Sequence, residues 1–241
     1  MKSLIIDTSS TAASAALFED TTLVGDIFVN DTTTHSQKLM PIVHDLLTQT
    51  GTKLSEIDAY YVCEGPGSFT GVRIGIATVK GFAQPFKKPV VTFPSMFLIA
   101  SGAKHHEGLI VPVIDAKREE VYYGVYSWDD GTLSTLEEGV EALEQLLTYL
   151  EEKYPGEPML LLGDATSSYP HLFENHTGFI LGTMIEGVPR ASNLAISSLP
   201  LDAASTVYLA KANYMRKSQA RNIYSTFQRR KIPFRWLHWI R

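Results

Sequence analysis

Cysteine is nearly absent from this chain. Cys63 is the single one in 241 residues, so no disulfide framework and no cysteine-based zinc site can form within it. No uninterrupted apolar run approaches the ~20 residues of a membrane helix, and the apolar run in the opening MKSLIIDTSS is too short for a secretory signal. The expectation is a reducing, cytoplasmic setting. Gly-Gly dipeptides are missing altogether. Acidic residues stop before the end: 211–241 holds nine of the 21 Lys+Arg and none of the 26 Asp+Glu. An acidic body followed by a basic tail is the strongest compositional signal.

What is present is ordinary globular material, 44 % hydrophobic and 20 % charged, with ample length for a core. SLIID (Ser3–Asp7), SAALF (Ser14–Phe18) and LVGDIFV (Leu23–Val29) read as an antiparallel meander. Helical spacing of Leu39, Ile42, Val43, Leu46 and Leu47 predicts a helix over Ser36–Gln49, ended by Gly51. IDAYYVC (Ile57–Cys63) reads as a strand buried on both faces. After it come a helix to about Gln84, a strand over Pro89–Phe93 and a helix capped by Ser95.

A second set follows: LIVPVIDA and EEVYYGVYS as strands, VEALEQLLTYLEEKY as an amphipathic helix, PMLLLGD as a buried strand. The fold class expected is therefore α/β, with duplicated ribonuclease-H-like halves of the actin/Hsp70-like (ASKHA) superfold and a degenerate second half. The divisions expected are 1–103, 104–221 and a C-terminal extension, 222–241.

The stretch CEGPGSFTGVRIGIATVKGFA runs from a glycine-studded loop into an apolar helix. Gly65, Gly67 and Gly71 allow close backbone approach, and helix N-terminal N–H groups can receive an anion. The hydroxyls of Ser68 and Thr70 can cap that helix instead. Both readings use the same atoms. IDTSSTAASAAL adds a hydroxyl-rich turn after Asp7, including Thr8 and Ser9; it too reads either as a phosphate loop or as an ordinary hairpin turn.

Small residues every fourth position (Gly71, Gly75, then Ala77, Gly81) let another helix come close. With Leu39, Met40, Val43 and Leu47 on the first helix and Val72, Gly75, Ile76 and Val79 on the second, they point to a helix-to-helix partner interface. Packing of both helices on their own sheet is the alternative. KHHEGL (Lys104–Leu109) is read as a solvated turn, and His35 and His44, nine apart, do not share a helical face for chelation. No metal site is expected.

IDTSSTAASAAL, HSQKLMPIVHDLL, GPGSFTGVRIGIATVKGFA and LLLGDA together resemble the TsaB (YeaZ) family, from Met1 to about Arg221. The resemblance implies a subunit of the bacterial machinery that makes threonylcarbamoyladenosine in tRNA. It implies pairing with the paralogue TsaD, joined by the ATPase TsaE, with ATP and metal belonging to those partners. In TsaD a His-x-Glu-Gly-His metal motif follows the strand after the GPG helix. The matching stretch here, VVTFPSMFLIA, has no histidine and no carboxylate. The Gly-Gly turn that holds adenosine elsewhere in the superfold is also missing. A non-catalytic scaffold is the reading these departures favour, with no catalytic residue and no cofactor assigned to this chain alone. A free-standing ATPase or phosphotransferase using Asp7 and the GPGSFTG loop is the rival.

The tail interleaves Arg229, Arg230, Lys231, Arg235 and Arg241 with Phe227, Phe234, Trp236 and Trp239. Arg229, Arg230, Lys231 and Trp236 are candidate RNA contacts, by phosphate pairing and base stacking. Aromatics packed on the body, or cations paired with its acids, account for the same residues.

Overall fold

Five strands come first, all but the edge strand Thr22–Val29 mostly buried. β1 (Lys2–Asp7), β2 (Ala13–Glu19), β3 (Thr22–Val29), β4 (Ala59–Gly65) and β5 (Val90–Pro94) form one sheet, ordered β3-β2-β1-β4-β5. β1 is antiparallel to β2 and parallel to β4. The computed structural model describes residues 1–194, 199, 210–213 and 215. The second sheet comprises β6 (Leu109–Asp115), β7 (Glu120–Asp129), β8 (Thr132–Ala142), β9 (Met159–Leu162) and β10 (Phe179–Leu181), ordered β10-β9-β6-β7-β8. It repeats the first: two antiparallel hairpin partners on one side of the lead strand, two parallel strands on the other. This is the duplicated ribonuclease-H-like architecture of the actin/Hsp70-like superfold.

The helices form layers around the sheets. α1 (His35–Gln49) and α2 (Phe69–Phe86) pack Leu39, Ile42, Val72 and Val79 against the outer face of the first sheet. α4 (Leu143–Lys153) does the same for the second through Leu146 and Leu150. Between the sheets lies α3 (Ser95–Ser101), buried at every residue. Its Met96, Phe97 and Ile99 join Tyr61 and Phe93 of the first sheet to Ile110, Tyr126 and Leu160 of the second in one apolar cluster. Arg190, bonded to Asp26 at 2.7 Å, and Ala191, whose N–H donates to Ser14 Oγ at 3.0 Å, return the chain to the first sheet.

Three expectations from the sequence need correction, and one short strand was not expected. β8 lies where VEALEQLLTYLEEKY predicts the start of a helix, and α4 begins only at Leu143. Pairing with β7 along its whole length decides this, overriding the helix propensity of Glu137, Glu138 and Glu141. β10, three residues long, exists only as the parallel neighbour of β9. α2 starts at Phe69 and runs through Pro85 to Phe86, beyond the expected end near Gln84. Ser95 does not cap α3: Pro94 holds the cap position, and Ser95 Oγ donates to the Pro66 carbonyl.

Candidate functional site

The site expected from sequence is the seam between the β1–β2 turn and the loop before α2. β1 and β4 are parallel neighbours, so their C-terminal ends bring Asp7 and the Gly65–Ser68 loop side by side. Backbone then meets backbone. The Ser68 N–H donates to the Ser9 carbonyl at 2.6 Å, and Thr8 Oγ1 donates to the Gly71 carbonyl at 2.8 Å. A Cβ on Gly67 would stand 2.1 Å from the Ser9 oxygen, and one on Gly71 2.1 Å from the Thr8 oxygen. These two glycines are required because the turn lies directly on them.

Ser68 caps α2, its Oγ accepting the Gly71 N–H at 3.1 Å, while Thr70 is exposed. Gly65 ends β4, and Gly75 is buried against Thr8 Oγ1. The outer side of the turn is fastened by α1. Buried Lys38 sends Nζ to the Thr11 carbonyl at 2.8 Å and to Asp31 Oδ1 at 3.2 Å. His35 bonds the Ser10 backbone, and burial, then Lys38, holds its pKa below the ordinary value. The sequence reading gave neither residue this role; Lys38 stood on the apolar stripe beside Leu39 and Ile42, where a charged residue signals a buried partner.

Asp7 is fully buried. Its Oδ1 accepts the Ser9 hydroxyl at 2.7 Å and the Ser9 N–H at 3.2 Å; its Oδ2 is buried without a hydrogen-bond partner. Burial pushes this carboxyl up to about 6, against the Ser9 hydroxyl and the weak donor Cys63, which favour the ionised form. Burial and the facing Asp7 carboxyl in turn push the Cys63 thiol well up. The Ser9 and Thr8 carbonyl oxygens lie on the Cβ side of Gly67 and Gly71.

Of the residues expected at a partner interface, Leu39, Val43, Val72, Gly75, Ile76 and Val79 are buried within this chain and Leu47 is half-buried. Each helix has one strongly apolar stripe, and the stripe lies on the sheet. Met40 is exposed on α1, and Phe69, Arg73, Ala77 and Gly81, spaced by four, are exposed on α2. The Arg73 guanidinium lies 3.7 Å from the Phe69 ring centroid. Among the described residues, nothing lies within 4 Å of a Cβ on Gly81.

In the second half, the Gly163–Asp164 turn packs on its own strands. A Cβ on Gly163 would meet the Val113 carbonyl at 2.3 Å, and Asp164 Oδ1 accepts the Asp115 N–H at 2.8 Å. Among the described residues no three His, Cys, Asp or Glu come together as a metal-holding group, and no helix is long and apolar enough to cross a membrane. The candidate RNA contacts Arg229, Arg230, Lys231 and Trp236 lie outside the described residues.

Comparison with known proteins agrees with this architecture. The family model described as TsaD, tRNA N6-adenosine threonylcarbamoyltransferase, matches residues 29–223. The tRNA threonylcarbamoyladenosine biosynthesis protein TsaB of Bacillus subtilis (strain 168) is 33% identical over 223 residues, 91% of this chain and 96% of that protein. TsaB of Escherichia coli (strain K12) is 33% identical over 71% of this chain and 75% of its own length. Among solved structures, YeaZ from Pseudomonas aeruginosa superposes with a TM-score of 0.68 at 27% identity, over 83% of this chain and 99% of its own. A Pseudomonas aeruginosa protein described as uncharacterized, with similarity to peptidase YEAZ, gives 0.75 at 26% identity, over 89% and 99%. The chain belongs to the TsaB (YeaZ) family.

Proposed function

We propose that this chain serves tRNA threonylcarbamoyladenosine biosynthesis as a non-catalytic scaffold. It pairs with TsaD, joined by TsaE, and together they transfer threonylcarbamoyl to N6 of the tRNA adenosine beside the anticodon. One observation supports the non-catalytic part: the Ser68 N–H of the GPG loop is already taken by the Ser9 carbonyl of the neighbouring turn.

The pairing surface is the solvent side of α1 and α2: Met40, Phe69, Ala77 and Gly81. A glycine inside an exposed helix costs about 1 kcal/mol relative to alanine, and nothing among the described residues crowds Gly81. Close approach by a partner helix supplies the reason for it. The same patch can pair two copies when TsaD is absent, since a two-fold contact needs only a self-complementary surface.

Gly81→Trp tests this reading. It is expected to abolish co-elution with purified TsaD in gel filtration while leaving the thermal midpoint of the isolated chain in place. Undiminished co-elution would move the pairing surface elsewhere. The rival ATPase reading draws on the buried, half-satisfied Asp7 carboxyl; it requires turnover by the chain alone.

A further inference from the structure

The end of the second sheet carries an apolar patch that neither the seam nor the pairing helices use. Ile180 and Leu181 of β10 are 52% and 48% exposed, and Met184 and Ile185 in the turn beyond are 77% and 85% exposed. The turn is well held. Gly182 N–H donates to the Leu161 carbonyl at 2.9 Å, Thr183 N–H and Oγ1 both donate to Glu186 Oε2 at 2.8 Å, and Gly187 N–H donates to the Thr183 carbonyl at 3.1 Å. Met184 and Ile185 are therefore displayed by a fixed backbone. β10 pairs with β9 alone among the described residues, so its other side is a sheet edge able to accept an extended segment.

Charge narrows the occupant. No Lys or Arg occurs between Lys153 and Arg190. Glu174 is exposed at the end of the 3-10 turn Pro170–Phe173, and Glu151 lies 3.4 Å from a Cβ position on Gly178. Glu151 also faces His176 at 2.9 Å, and Glu186 is bonded to Thr183 within the turn. A fitting partner is an extended segment that alternates cations with aromatics and carries no acid.

We propose that the occupant is this chain's own extension, 222–241, which would lay its aromatic residues on Ile180, Leu181, Met184 and Ile185 and its cations among the glutamates. The extension belongs to a 31-residue stretch, 211–241, with nine cations and no acid. Met215 packs against the cluster between the sheets, and the 26 residues after it reach up to about 85 Å when extended. Tethering raises the local concentration of such a segment to about millimolar, so modest contacts suffice. RNA is the competing occupant, but the acidic second half repels phosphate over this surface.

Hydrogen exchange distinguishes the two. The full chain is compared with a chain ending at Arg221, which keeps nearly all of the family-matched residues. Truncation is expected to speed amide exchange in 179–187 about tenfold, and the peptide 222–241 added in trans at low salt should restore it. A full-length Met184→Asp/Ile185→Asp variant should lose the same protection, which covers the case of a truncated chain that folds poorly. Unchanged exchange in 179–187 after both changes overturns the proposal. So does a truncation that abolishes tRNA binding while leaving exchange in 179–187 as it was, which would make RNA the occupant.

Discussion

Ser9 and Ser68, 59 positions apart, are joined by a 2.6 Å hydrogen bond from the Ser68 N–H to the Ser9 carbonyl. Ser68 is also the cap of α2. One residue thus fastens the β1–β2 turn and starts the helix that follows the GPG loop. The GPG loop and the β1–β2 turn are thereby joined backbone to backbone.

Gly67→Ala and Gly71→Ala are expected to destabilise strongly, by more than about 2 kcal/mol each, because the new methyl meets a backbone carbonyl that cannot turn aside. Gly81→Ala should do the opposite in the isolated chain, adding up to about 1 kcal/mol. Urea midpoints of the three variants check both signs.

Asp7→Asn should stabilise the chain at neutral pH. The carboxyl's folded value, about 6, lies above its ordinary 3.8. Its favourable contribution is full below 3.8 and is lost as pH rises through about 6. Above that the ionised group costs on the order of 3 kcal/mol. The variant's advantage in urea midpoint should be largest at pH 7–8 and shrink towards pH 4; an advantage independent of pH would contradict the burial account.

Lys38→Met keeps the buried stem and removes the ammonium that holds Thr11 and Asp31. A loss of about 1–3 kcal/mol is expected, with faster hydrogen exchange concentrated in residues 8–12.

Phe97→Ala should cost about 3–5 kcal/mol. Phe97 meets Tyr126 of the second sheet edge-to-face at 6.1 Å, so its loss loosens both halves. Unfolding followed by exchange at β4 and at β9 should remain one transition with one shifted midpoint; two separated transitions would show that the halves stand alone.

The first sheet was legible because its strands are apolar runs broken by short polar turns, and Ser68 stood three residues before Gly71 as a cap should. The Ser9–Ser68 bond was not legible, since only the parallel pairing of β1 with β4 brings those positions together. β8 was hidden because Glu137, Glu138 and Glu141 favour helix, and its strand state depends on β7. Apolar spacing located α1 and α2 but could not say that Leu39, Val43, Val72 and Val79 lie inward. Which side of a helix remains for a partner emerges only once the sheet is in place.

The most direct test of the scaffold account is calorimetric titration of the isolated chain with ATP and Mg²⁺, followed by a turnover assay before and after purified TsaD is added. The account predicts no binding heat and no turnover from the chain alone, with activity arising on addition of the partner. ATP hydrolysis by the chain alone, lost on Asp7→Ala, would contradict it and make the chain an enzyme.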